Sequence, residues 1–456
     1  MNDKLKFNFY GGAGTVTGAN FLIEVQGLKI LLDCGVMQGE TIEDRTNRSP
    51  FPYNPEEINY LFVSHAHLDH VGLIPRLVRE GFRGKIFSTP PTKDITEALL
   101  IDSLGVLRKE AKAEDKPALY TEEEVENAMK LWETIPYRQG IKLKDDLTIT
   151  FRDSGHIIGS AMFEIFHAGK KILYTGDLGN SPSPLLNDTE MVTDVDYLIL
   201  ESVYGDRNHA SHKESKEALE DIIEDTMNSG GTLMLPAFSI EKTQEILFEI
   251  KEMMIQGRIP LVRVYLDSPL AIKVTDIYRK YVDYLNPEAQ KIFSKTKNGE
   301  IFSFPQLVQT LATEESVSIK DYHHPKIIIA GSGMSTGGRI LHHEKNYLGD
   351  PRSTLLLTGY QSTRTLGRIL QEGARTVKIM GDTVNVNARV VTLSGYSAHK
   401  GSDDLLNFVN ATSDKLKKVF VVLGEPKSSL FLVQRIRDNL AIDAVAPAYR
   451  EFHLLS

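Results

Sequence analysis

One cysteine, one tryptophan, no long apolar run and no excess of positive charge mark this 456-residue chain by what it lacks. The single cysteine, Cys34, excludes an intramolecular disulfide framework; it suits a reducing cytosol and is expected to be a buried small hydrophobe in the apolar run 29–34. No stretch approaches about 18 consecutive apolar residues. The start, Met1-Asn2-Asp3-Lys4, lacks the apolar centre of a signal peptide. The expected location is therefore cytoplasmic, with no membrane. A formal net charge of −9 argues against a protein that coats nucleic acid through a broad basic face, but leaves room for a basic cleft in an acidic body. No repeat or low-complexity segment is visible.

The length exceeds one ordinary core and predicts two domains, or one large domain with an insertion. Up to about residue 200 the chain reads as short apolar or β-branched runs bounded by Gly, Asp or Asn, with helices expected at about 75–80, 92–110 and 121–132. The middle changes character, alternating strands such as 232–235, 262–266, 326–330 and 353–357 with helices. That alternation indicates a parallel sheet wound by crossovers. Strands 389–393 and 418–423 follow. The fold class is α/β.

Of the 13 histidines, His167, His209, His212, His323, His324, His342, His343 and His453 read as surface or satisfied core residues. His65, His67, Asp69 and His70 are different. Spaced H-A-H-L-D-H after the apolar run 60–63, they place four metal-ligand side chains within six residues. His65 and His67, two apart in extended chain, project to one side, while Asp69 and His70 fall at the following turn. Three more positions complete a metal centre. His156 lies in the glycine-flanked loop S-G-H-I-I-G-S, where little bulk obstructs a ligand. Asp177 closes the strand L-Y-T-G-D with a carboxylate whose two oxygens can bridge two cations. Asp33 ends L-L-D-C-G and suits a supporting role, accepting a ligand histidine's other N–H.

In this order the residues resemble the metallo-β-lactamase superfamily. A further series resembles its β-CASP branch: L-E-S-V-Y-G-D-R from Leu200, L-P-A-F-S from Leu235, G-S-G-M-S-T-G-G-R from Gly331, T-G-Y-Q from Thr358, T-L-G-R from Thr365 and S-G-Y-S-A-H from Ser394. The resemblance spans nearly the whole chain and is nearest to bacterial RNA-processing members. It implies an αββα sandwich (1–207 and 390–456) with an inserted β-CASP domain on a mainly parallel sheet (208–389). The insertion would cover the metal centre and favour single strands. His65, His67, His156 and Asp177 would hold one zinc; Asp69, His70 and bridging Asp177 a second, with Asp33 behind them. Zinc lowers the pKa of bound water to about 7, so hydroxide would be the nucleophile. Asp69, Glu201 and His399 carry the family's catalytic roles, the Glu201–His399 pair that of general acid. Ser332, Gly333, Met334, Gly337, Gly338, Arg339, Arg364, Arg368 and Lys242 would bind substrate phosphates, the glycines as an anion cradle opening a helix.

Two departures stand out. The family normally has a histidine before Gly-Glu on the last strand; this chain has Leu423, which cannot bind zinc. One tight ion and a weaker second are therefore expected, with Mn²⁺ an alternative metal. Leu423→His would restore the imidazole at little packing cost if the side chain faces the cleft. Glu241-Lys242 replaces the usual Gly-Arg, keeping charge but losing the bidentate fork. The expected function is a metal-dependent phosphodiesterase cleaving single-stranded RNA. Alternatives are a DNA nuclease, an RNA-binding scaffold that has lost activity with the histidine, and, disfavoured by the inserted domain, a small-molecule hydrolase. The expected partner is single-stranded RNA; a homodimer is left open.

Overall fold

The computed structural model describes residues 4–38, 46–296, 300–359, 361–362 and 364–455. They form two compact units: Met1–Ser181, Asn187–Asn208 and His399–Ser456 in the first, Pro182–Leu186 and His209–Ala398 in the second.

The first unit contains two seven-stranded sheets. One runs in the order Phe452–Leu455, Leu5–Phe9, Phe21–Val25, Leu28–Leu32, Tyr60–Phe62, Lys85–Ser88, Trp132–Thr134. The other runs Ala444–Val445, Lys418–Val422, Tyr197–Glu201, Lys170–Tyr174, Ala161–His167, Leu147–Asp153, Gly140–Lys144. Their inner faces share one apolar core that includes Phe7, Phe9, Phe21, Phe62, Phe151, Phe163, Tyr174 and Phe420. The period of two explains the pairing: in Leu147–Asp153 every second residue is buried and the others half-buried. Helices Ser402–Ala411 and Pro426–Leu440 cover the outer face of the second sheet through Leu405, Phe408, Leu432 and Ile436. Pro90–Glu114, started by Thr89 as N-cap and prolines in its first turn, packs against Trp132–Thr134 of the first sheet.

Strands Leu28–Leu32 and Tyr60–Phe62 run parallel, as do Lys170–Tyr174, Tyr197–Glu201 and Lys418–Val422. Their carboxyl ends deliver Asp33, His65, Asp177, Glu201 and Leu423, the edge where open α/β sheets gather their ligands.

The second unit is built on a six-stranded parallel sheet, in the order Leu307–Gln309, Arg263–Leu266, Lys326–Ala330, Thr232–Pro236, Thr354–Leu357, Arg389–Thr392. Thr232–Pro236 and Lys326–Ala330 are buried at every residue, because helices lie over both faces. Two expectations are corrected here. Arg389–Thr392 pairs in register with Thr354–Leu357, so the chain leaves this unit after Ala398 rather than at residue 389. The helix expected to 132 stops at Lys130; Trp132 begins an edge strand, its indole N–H donating to Ser88 Oγ at 2.8 Å. No described helix is long and apolar enough to cross a membrane.

Candidate metal centre and acid pair

His67 caps a four-residue helix, Leu68–Val71, its carbonyl accepting the N–H of His70 at 2.9 Å. That turn swings Asp69 and His70 back toward His65. Gly35 permits this: a Cβ there would sit 1.5 Å from the Asp69 carbonyl oxygen. His156 is held by its loop, where Ser160 Oγ accepts the N–H of His156 at 3.0 Å and of Ile157 at 3.2 Å.

Three segments bring their donors together: the 65–70 stretch, the His156 loop and the chain at Asp177. Ligand atoms of His65, His67, His156 and Asp177 all lie within 4.8 Å of one another. His65 Nε2 is 3.1 Å from His67 Nδ1 and 3.3 Å from Asp177 Oδ2, and His156 Nε2 is 3.2 Å from His67 Nδ1. Donors each about 2.1 Å from a tetrahedral ion stand roughly 3.4 Å apart, so the spacing fits one zinc. Beside it, His70 Nε2 lies 3.6 Å from Asp177 Oδ2 and 3.9 Å from Asp69 Oδ2. That nitrogen is buried and has no hydrogen-bond partner, which is what a ligand atom awaiting a cation looks like.

Electrostatics agree with a cation site. Burial, then the neighbouring His65, holds His67 well below the ordinary histidine range; burial, then His399, does the same to His156. Both are thus neutral and able to ligate. Burial would raise Asp177, but His70 and His65 outweigh it and keep the carboxyl well below its usual range. Burial raises Asp69, with Asp177 adding to the effect. Burial lowers His70, yet Asp177 and Asp33 more than reverse it, to about 10. An imidazolium so placed is the metal-free counterpart of a ligand, since a cation would replace its Nε2 proton.

Glu201 and His399 sit alongside. His399 Nδ1–H donates to Glu201 Oε1 at 3.2 Å, while the fully buried carboxylate also accepts Leu178 N–H at 2.9 Å and Val203 N–H at 3.1 Å. Burial lowers His399, but Glu201 and then Asp177 raise it to about 9. Its ring centroid is 4.6 Å from that of His156. The peptide of Leu178, directly after Asp177, binds Glu201 through its N–H and Lys400 N–H through its carbonyl. No sequence pattern announces such a backbone link.

Leu423 follows the strand Lys418–Val422. It is fully buried in the core shared by the two sheets, and a Cβ built on Gly12 would lie 2.5 Å from Leu423 Cδ2 and 3.0 Å from Phe21 Cζ. The backbone turns at φ +51° and the side chain packs in the apolar layer, so an imidazole here would carry a packing cost.

In the second unit, Gly331–Arg339 forms a compact turn. Ser332 Oγ accepts the N–H groups of Thr336 at 2.9 Å and Gly337 at 3.2 Å, so those two donors are already engaged. Gly338 is obligatory, with φ +76° and the Gly331 carbonyl oxygen 2.4 Å from where a Cβ would be. Gly333 packs on the Phe238 ring, and the Met334 carbonyl accepts Gly367 N–H at 3.1 Å. The Arg339 guanidinium donates to Asp267 Oδ1 and to the carbonyls of Thr310 and Leu311 at 2.7–2.9 Å. Lys242 is buried against Glu245 at 2.7 Å, and Arg368 pairs with Glu372 at 2.6 Å. These pairs already engage part of the donor capacity of Arg339 and Lys242. Arg364 is exposed. His343, read as a satisfied core histidine, bonds Asp267 Oδ2 at 2.7 Å.

Residues 22–203 match the metallo-beta-lactamase superfamily domain, 243–370 the Beta-Casp domain and 383–447 a Zn-dependent metallo-hydrolase RNA specificity domain. The chain is 36% identical to a ribonuclease of Thermus thermophilus, over 93% of this chain and 94% of that one. It is 33% identical to an RNase J-like protein of Methanocaldococcus jannaschii, over 96% and 97%. It is also 30% identical to the transcription termination factor FttA of Methanosarcina mazei, over 96% of this chain and 69% of that one. A crystal structure of a protein of unknown function from Enterococcus faecalis shares the fold, with TM-score 0.57 at 12% identity over 99% of this chain and 100% of that one. By sequence, domain content and fold, the chain belongs to the metallo-β-lactamase superfamily, in its β-CASP branch of nucleic-acid-processing hydrolases.

Proposed function

We propose that the protein is a metal-dependent ribonuclease that cleaves single-stranded RNA by hydrolysis of a phosphodiester. The observation that carries the reading is the convergence of His65, His67, His156 and Asp177 donors within 4.8 Å, with the Glu201–His399 pair beside them. RNA as substrate is supported by the match to an RNA specificity domain and by the ribonuclease names of two relatives.

Zinc bound by His65, His67, His156 and Asp177 would lower the pKa of water to about 7 and so supply a nucleophile at neutral pH. Asp69 and His70, with Asp177, would hold a second and weaker ion, since Leu423 contributes no ligand. The chain's own proton chemistry lies at His399. Nδ1–H is committed to Glu201 Oε1, so the proton given to the leaving oxygen is the one on Nε2. Glu201 is anchored by two backbone N–H groups and holds the imidazole in one orientation. Mn²⁺ is a second metal compatible with this mixed nitrogen and oxygen set.

Metal analysis of the purified protein, combined with cleavage of 5′-labelled and internally labelled single-stranded RNA and DNA, tests the reading. One tightly bound zinc per chain and preferential RNA cleavage are expected, and product lengths separate internal from terminal attack. A zinc-loaded protein that leaves RNA intact would favour the scaffold alternative; preference for DNA would favour the other nuclease.

A further inference from the structure

Asp33 is fully buried at the end of Leu28–Leu32, and its carboxylate is saturated with donors. Ser64 N–H donates to Oδ1 at 2.7 Å. Oδ2 accepts the Ser64 hydroxyl at 2.7 Å, the Tyr174 phenol at 2.7 Å and His70 Nδ1–H at 2.8 Å. Ser64 Oγ also lies 3.0 Å from His65 Nδ1. A hydroxyl has one proton, and the 2.7 Å approach to a carboxylate oxygen places it there. Ser64 Oγ therefore meets His65 with a lone pair, and His65 Nδ1 must carry the hydrogen. The lone pair of His65 is left on Nε2, the atom 3.3 Å from Asp177 Oδ2. Gly176 makes this approach possible, because a Cβ there would stand 2.8 Å from Ser64 Cβ.

We propose that Ser64 is a positioning residue of the metal centre. Its hydroxyl relays the Asp33 carboxylate to His65, so that one carboxylate sets the tautomer of a ligand in each half of the centre: His70 directly and His65 through Ser64. Tyr174 keeps the carboxylate in place from a strand of the other sheet. Burial, then Asp33, holds the phenol well above its ordinary range, so it remains a donor.

The inference rests on the reading of these histidines as metal ligands. Its test is zinc binding to the metal-depleted protein, measured by competition with a chromophoric chelator, for the unmodified chain, Ser64→Ala and Ser64→Thr. Ser64→Ala should weaken the tight ion by about 10–100-fold, the span for removing a group that orients a ligand. Ser64→Thr, which returns the hydroxyl, should recover the affinity. Long-range ¹H–¹⁵N spectra of the zinc-loaded, ¹⁵N-histidine-labelled unmodified protein give a variant-free check: His65 should show a protonated Nδ1 and a zinc-bound Nε2. The opposite tautomer, or unchanged affinity in Ser64→Ala, overturns the relay while leaving the metal reading intact. Failure of the unmodified protein to take up zinc would instead sink the functional reading on which the relay rests.

Discussion

Leu423→His is the substitution on which the sequence and the structure give opposite forecasts. Resemblance alone says that an imidazole here completes the second metal site. The structure places Leu423 fully buried beside Gly12, in the apolar core shared by the two sheets. Losing a buried leucine forfeits about 1.5–3 kcal/mol, and enclosing ring nitrogens without partners adds about 1–3 kcal/mol. Leu423→His should therefore destabilise the first unit by about 2.5–6 kcal/mol, taking these costs together, with no gain in metal affinity. The assay is urea denaturation followed by tryptophan fluorescence. The lone tryptophan, Trp132, is buried in that unit, so its signal reports on the unit's unfolding. Metal titration of the same variant completes the test. A variant as stable as the unmodified chain that also tightens a second ion would show that the side chain at this position reaches the metals, refuting the packing argument.

Three further expectations concern catalysis. His67→Ala or Asp177→Asn should abolish RNA cleavage with the fold retained; full activity in purified, metal-analysed variants would remove the hydrolytic mechanism. His399→Ala should lower the turnover rate by roughly 10²–10⁴-fold, the range of general acid–base catalysis, without changing zinc content; loss of zinc would make His399 a ligand instead. The third is a pH profile. His399 must be protonated to act, and Glu201 and Asp177 raise it to about 9 against the effect of burial. Turnover should thus be sustained below that value and fall as pH rises through it, with nearby bound cations moving the limb downward. Glu201→Gln should shift the same limb to lower pH, and a limb that does not move would dissociate the pair from proton transfer.

Local patterns were legible in the chain because their physics is local. The H-A-H-L-D-H spacing carries its own geometry: an extended pair, then one helical turn beginning at His67. Strand runs with period two, capping residues and the parallel alternation of the middle segment likewise depend on neighbours in sequence. The strands ending in Asp33, His65, Asp177 and Glu201 could be marked one by one, and the αββα sandwich followed from resemblance. The edge strand begun by Trp132 could not, since three residues beside Lys85–Ser88 owe their conformation to pairing rather than to propensity.

What the amino-acid sequence determined by itself was the set of groups able to hold a cation and move a proton. Tertiary structure decided where each one points. Arg339 and Lys242 look like phosphate ligands as letters, but half-buried Arg339 pairs with buried Asp267, and buried Lys242 with Glu245. Leu423 occupies a ligand's place in the alignment of motifs, yet its backbone turn sends it into the core. Ser64, unremarkable beside four metal-binding residues, acquires its role only when Asp33 and Tyr174 arrive from two other strands. Hydrogen bonds and burial depend on distance in space, which a sequence lists only for neighbours.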